Sequence, residues 1–346
     1  MTESFRQRLN LELPIIQAPM AGVQDSALTI AVSNAGGLGS LPCAMLSKDQ
    51  IRSELEAISD QTSAPYNVNF FCHTPSEVDA DRENNWRNEL RSYYREYGIN
   101  EDDIPAGGRR DPFDQAALET LQEFKPPVVS FHFGLPTREL LEAVRAMGSL
   151  VVSSATTVAE AVWLQERGVD AIIAQGVEAG GHRGMFLSDD LTSQVGSMAL
   201  LPQIVAAVDV PVIAAGGIAD AAGVSAALKL GADAVQVGTA FLLCDEATTS
   251  KVHRAALKSP EAVHSALTNR FSGRPARSIV NRVMRELGPI GEVPAFPLAG
   301  GAIGPLRSAA EADGLGDFSP LWSGQNPSGC REIGAAEQIR RLAADI

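Results

Sequence analysis

From residue 13 to about 243 the chain alternates short, unbroken apolar runs with longer amphipathic stretches. The runs are LPIIQAPM (13–20), LGSLP (38–42), PYNVNFF (65–71), VVSFHFG (128–134), LVVSSA (150–155), DAIIAQG (170–176), PVIAAGG (211–217) and ADAVQVGTAFL (232–242). They do not alternate polar with apolar positions, which marks strands covered on both faces, as in a parallel sheet. Between them, stretches such as KDQIRSELEAISD (48–60), TRELLEAVRAMG (137–148) and TVAEAVWLQERG (157–168) carry helical periodicity and close on glycine or a turn. Eight strand–helix units in about 230 residues predict an α/β fold of the (β/α)8 TIM-barrel type rather than an open doubly wound sheet.

Two segments break the rhythm. Residues 74–114 are polar and aromatic and read as an insertion after the third strand, with one charged helix at about 80–97. An insertion there lies on the C-terminal rim of a barrel, where sites are built. After residue 245 the chain is first helical (248–267) and then rich in Gly and Pro (288–305). The expected organisation is a barrel over 1–244 and a smaller, mainly helical domain or lid over 245–346. That second part covers the active site, and its C-terminal end packs back on the barrel.

Composition narrows the partners. The 346 residues are 45% hydrophobic and 20% charged, as a folded core requires. A net charge of −14 argues against nucleic acid and against an anionic membrane surface, since both attract basic proteins. The four cysteines are scattered without a CxxC pair and read as buried or incidental thiols. No apolar signal core and no run of roughly 18 apolar residues is present, so a cytoplasmic monomer or homodimer is expected.

In a barrel the chemistry sits at the C-terminal strand ends. Here those ends carry Ala18-Pro19-Met20, Asn67 and Asn69, Ser130 and His132, Gln175-Gly176, Gly180-Gly181-His182, Gly216-Gly217, and Gln236-Val237-Gly238-Thr239. Glycine-rich turns after strands seven and eight suit a phosphate, because backbone N–H groups and helix starts there attract anions. The same glycines also make tight turns and nothing more. Asn69, Gln175 and Gln236 are amides that fit a planar heterocycle, or that cap neighbouring carbonyls. His182, between glycines in a loop, is the candidate proton acceptor or substrate contact. His132 is a second candidate, and His73 lies within reach of the rim. Arg183 either meets an anionic substrate or pairs with Glu178. His253 and His264, among charged neighbours, are expected on the surface. Neither HExxH nor GxSxG occurs, so neither a metal site nor a serine hydrolase is expected.

Taken together, QAPMAGV (17–23), AVSNAGGLGSL (31–41), NVNFFCH (67–73), VVSFHFGLP (128–136), the run 155–184 ending in VEAGGHRG, PVIAAGGI (211–218), AVQVGTAFLLCDEA (234–247) and LWSGQ (321–325) resemble the nitronate monooxygenases. The resemblance spans nearly the whole chain. It implies an FMN-dependent TIM-barrel flavoenzyme that oxidises alkyl nitronates, or nitroalkanes, with O2 to carbonyl compounds and nitrite. It further implies that Ala18, Pro19 and Met20 line the flavin ring and that Asn69 and Gln175 hydrogen-bond it. Gly180, Gly181, Gly216, Gly217, Gln236, Val237, Gly238 and Thr239 would hold its ribityl chain and phosphate. His182 matches the active-site histidine, with His132 and Arg183 as further substrate contacts. One departure touches the substrate pocket: the branch carries C-terminal tyrosines and a lysine near it, whereas here no tyrosine follows Tyr97 and no lysine follows Lys258. The rival readings are an FMN-dependent, NAD(P)H-using enoyl-acyl-carrier-protein reductase and a non-redox sugar-phosphate barrel.

Overall fold

The computed structural model describes residues 4–105, 107 and 110–346. Its strands in chain order are β1 (Ile15–Gln17), β2 (Gly39–Pro42), β3 (Tyr66–Phe71), β4 (Val128–His132), β5 (Leu150–Ala155), β6 (Ala171–Gln175), β7 (Gly181–His182), β8 (Val212–Ala215), β9 (Ala234–Val237), β10 (Ser265–Thr268) and β11 (Ala276–Ile279). Its helices are α1 (Phe5–Leu9), α2 (Ser26–Asn34), α3 (Lys48–Gln61), α4 (Ala80–Glu96), α5 (Gln115–Phe124), α6 (Arg138–Ala146), α7 (Val158–Glu166), α8 (Ser197–Ala207), α9 (Ala221–Lys229), α10 (Lys251–Lys258), α11 (Arg282–Leu287), α12 (Gly300–Ala312) and α13 (Ala335–Leu342). No described helix is long and apolar enough to cross a membrane.

Eight parallel strands run in the order β1-β9-β8-β6-β5-β4-β3-β2. The two ends meet: Gln17 N–H donates to the Leu38 carbonyl at 3.0 Å, and Leu38 N–H to that of Ile15 at 2.9 Å. This closes the sheet into the predicted barrel. Its interior is filled by Ile16, Leu38, Val128, Val152, Ile173 and Ile213, and Phe5 of α1 plugs the N-terminal end with no exposed surface. Strands buried on both faces explain the unbroken apolar runs. The eighth position in the helical ring is taken by α13, which packs against α2 and α9. The chain end therefore completes the barrel.

The insertion and the C-terminal part share one core. Trp86, Tyr93 and Tyr94 of α4 pack with Met284, Ile303, Leu306 and Phe318. The polar ends of these rings are satisfied across the gap in sequence: Trp86 Nε1 donates to the Ala299 carbonyl at 3.1 Å, and the Tyr94 hydroxyl to that of Ala302 at 2.7 Å. Buried aromatic rings of this kind bring both area and a directional bond.

This region is less helical than its periodicity suggests. The helical pattern of 248–267 breaks into α10, a 3-10 turn at Pro260–Val263 and strand β10. Pro260 lacks the N–H a continuing helix needs. Strand β10 pairs antiparallel with β11, and β11 with β7, the two-residue strand that contains His182. A loop of the barrel is thus stitched into the sheet of the neighbouring region.

Candidate active site

The C-terminal strand ends open into a cavity of about 300 Å3, walled also by Arg307, Glu311, residues 319–322, Gly324 and Asn326. Ala18, Pro19, Met20, Asn69, His132, Gln175, Gly180, Gly181, His182, Gly216, Gly217, Gln236, Val237, Gly238 and Thr239 all line it. Arg183 does not.

The backbone of the glycine loops is where the space lies. Gly216 and Gly217 have φ of +112° and +77°, values that side chains rarely adopt. Gly180 meets the tail instead: a Cβ there would stand 2.6 Å from Gly324 N. That approach is fixed by Gln325 N–H donating to the Glu178 carbonyl at 2.9 Å and Gly324 N–H to Thr239 Oγ1 at 2.9 Å. So LWSGQ docks on VEAGGH, which accounts for both motifs. The start of α9 is capped by its own Asp220, whose carboxylate accepts from Gly223 N–H at 2.8 Å. An anion at this end would meet the Gly216–Gly217 and Gly238–Thr239 backbone rather than the helix start.

His182 sits in an aromatic cage. Its ring centroid is 6.1 Å from Phe71, 6.0 Å from Phe133, 5.4 Å from Phe296 and 5.4 Å from Trp322. Burial there, and then the charges of Arg110 and Arg274, hold its pKa well below the usual histidine value, so the imidazole is neutral at neutral pH. Its Nε2 lies 2.8 Å from Ser272 Oγ. Ser272 Oγ also lies 3.3 Å from the Arg274 carbonyl; the tautomer that donates Nε2–H to Ser272 leaves Nδ1 as the basic nitrogen.

His132 has no nitrogen to offer a substrate. Its Nε2–H donates to the His182 carbonyl at 3.1 Å, and its Nδ1 accepts from Ser154 Oγ at 2.9 Å. It positions the His182 backbone. Gln175 does related work: its Nε2 donates to the His182 carbonyl at 3.0 Å and its Oε1 accepts from Gly184 N–H at 2.8 Å. One amide hydrogen remains uncommitted. The Gln236 side chain, by contrast, makes no hydrogen bond among the described residues, and the Asn69 amide donates only to Ser130.

Arg183 corrects the sequence reading. It neither reaches the cavity nor pairs with Glu178. Fully buried, it donates to the carbonyls of Gln175 and Gly176 at 2.7 Å each and to Gln194 Oε1 at 2.8 Å. Glu178 instead accepts from Ser197 N–H at the start of α8, at 2.9 Å. His253 is a second correction. Its charged neighbours suggest the surface, but it is buried, lines the cavity, and donates to the Trp322 carbonyl at 3.0 Å. The α10 face carrying Val252, His253 and Leu257 points inward. His264 is exposed, as expected, and His73 is buried behind the rim, donating to the Arg110 carbonyl at 3.0 Å. Sequence reasoning also passed over Ser272, Phe296, Trp322, Arg110 and Arg307. Trp322 alone had a signal, since it lies in the LWSGQ motif.

The buried histidines make the protein acid-sensitive. Burial pushes His132 and His253 each down to about 4. Between that value and about 6.5 the unfolded chain binds protons that the folded one refuses, so stability falls as pH falls through this window and levels off below it. The expected loss is ~3 kcal/mol per histidine. Urea unfolding at pH 7 and pH 4.5 checks this, and His253→Gln should flatten the slope; an unchanged slope in that variant would count against it.

The nitronate monooxygenase family model matches residues 3–345. The chain is 42% identical to the nitronate monooxygenase of Pseudomonas aeruginosa, over 100% of this chain and 99% of the relative. It is similar in structure to the nitroalkane oxidase of Streptomyces ansochromogenes, with a TM-score of 0.89 and 40% identity over 97% of this chain and 96% of that one. A FabK mutant from Thermotoga maritima matches with a TM-score of 0.71 and 26% identity over 99% and 95%.

Proposed function

The chain belongs to the nitronate monooxygenase family, and on that footing we propose that it binds FMN and oxidises alkyl nitronates with O2 to carbonyl compounds and nitrite. The observation that carries the reading is His182, a neutral imidazole in an apolar cage at the mouth of a glycine-lined cavity. The residues present fit a flavin. A Cβ at Gly181 would meet nothing within 4 Å, so open space lies above it, and one at Gly238 would meet only the side chains of Ala18 and Met20. The Gln236 amide, the one free amide hydrogen of Gln175 and the Asn69 Oδ1 suit the polar edge of a heterocycle, and the turns 216–217 and 238–239 suit a phosphate. Ala18, Pro19 and Met20 would border the ring. Bound there, the flavin would carry the electron transfer between substrate and O2.

The protein's own part is orientation, exclusion of water and proton handling. Phe71, Phe133, Phe296 and Trp322 keep the His182 face dry. With Nε2–H tied to Ser272, Nδ1 is the atom able to accept a proton from a neutral nitroalkane. His132, with both nitrogens engaged, fixes the loop rather than touching substrate.

Purified protein should show a flavin absorption band and release FMN on denaturation. Under air it should convert ethyl nitronate to acetaldehyde and nitrite with consumption of O2. Anaerobically, ethyl nitronate should bleach the flavin and NADH should not. Bleaching by NADH alone would favour the enoyl reductase reading; failure to bind FMN at all would sink the proposal.

A further inference from the structure

Four arginines lie in or around the cavity, and they differ in what their guanidinium groups already hold. Arg183 is saturated by two carbonyls and an amide. Arg274 donates to the Met185 carbonyl at 2.7 Å and lies 4.1 Å over the Phe133 ring, outside the cavity lining. Arg307 lines the cavity, but Glu311 accepts from its Nε at 2.8 Å and so neutralises it.

Arg110 is different. It lines the same cavity as His182, and among the described residues its guanidinium makes no ion pair and no hydrogen bond. Its Cζ stands 5.5 Å from the centroid of Phe296, the ring that also forms one wall of the His182 cage at 5.4 Å. Its backbone is pinned from behind, where His73 Nε2–H donates to the Arg110 carbonyl and the His73 ring meets Phe296 edge-on at 4.8 Å. Burial and the nearby Arg307 both disfavour its charge, which an anion would restore. An unpaired guanidinium beside an aromatic face presents a planar fork of donors, matched to two oxygens on one centre.

We propose that Arg110 seats the two oxygens of the anionic nitronate group, so that this arginine, and not a protonated His182, supplies the positive charge of the substrate site. The assignment rests on the nitronate reading given above. It divides the work: Arg110 holds the anion, and His182 stays neutral beside it. A nitronate is selected over its neutral acid because only the anion pairs with the fork.

The test uses the flavin-loaded enzyme, Arg110→Met and Arg110→Lys, with ethyl nitronate as substrate. Nitrate serves as a planar, non-reacting monoanion, and its binding is followed by calorimetry. Losing a charged hydrogen-bond pair is expected to raise the KM for ethyl nitronate and the Kd of nitrate together by about 10- to 100-fold in Arg110→Met. The kcat should stay within roughly threefold, the pattern of lost binding rather than lost chemistry. Arg110→Lys keeps the charge but not the fork and should recover part of both. A nitrate Kd and a KM that do not move in Arg110→Met would overturn the assignment, as would a fall in kcat with both unchanged. If the wild type fails to oxidise nitronate but binds nitrate through Arg110, the proposed reaction falls and the anion seat stands.

Discussion

Replacing His182 with asparagine is expected to leave the flavin spectrum intact and to lower kcat on nitroethane by roughly 100-fold or more. The imidazole is enclosed by Phe71, Phe133, Phe296 and Trp322, and asparagine keeps a polar group there without a basic nitrogen. With ethyl nitronate, which arrives already deprotonated, the loss should be smaller, because Arg110 rather than His182 holds the charge. The pH profile separates the roles. With its pKa held well below the ordinary value, His182 stays neutral as pH drops through 6.5, so kcat on nitroethane should not fall in that interval. Wild-type kcat on nitroethane in the variant would remove His182 from the chemistry.

The second large effect concerns Arg183, next in the chain and opposite in role. Arg183→Met removes donors from the carbonyls of Gln175 and Gly176 and from Gln194. Three acceptors would be left unpaired in the interior, each costing at least ~1 kcal/mol, so a total destabilisation of about 3 kcal/mol or more is expected. The loop that presents His182 should loosen, and flavin should dissociate more readily. Urea midpoints together with flavin retention after dialysis measure both. Unchanged stability with a raised KM for nitronate alone would return Arg183 to the substrate.

What the sequence made legible follows from range. The barrel is written in apolar runs because each strand is buried on both sides, a local consequence of its layer. His182 is legible because a histidine between glycines at a strand end has few packing duties. Arg183, one residue on, looks the same in sequence and does the opposite, because its acceptors become visible only when the loop folds back over β6. His253 is misread for a similar reason. Lys251 points outward while Val252 and His253 turn in, and an eight-residue helix is too short for its periodicity to say so. Arg110 carries no local signal at all: its meaning depends on Phe296, 186 positions away. The small sheet of β7, β10 and β11 was missed because a two-residue strand has no pattern of its own.

The shared core of α4 and α12 has a consequence during synthesis. Trp86 and Tyr94 emerge from the ribosome more than 200 residues before the carbonyls of Ala299 and Ala302 that complete their bonds. At translation speeds of about 5–20 residues per second that interval is on the order of 10–40 s. Through that time the insertion has no partner, and the half-made barrel stands with its mouth uncovered. A ligand entering then would have no covering wall to displace. The residues made still later, which dock LWSGQ and set α13 into the ring, would shut the door behind it.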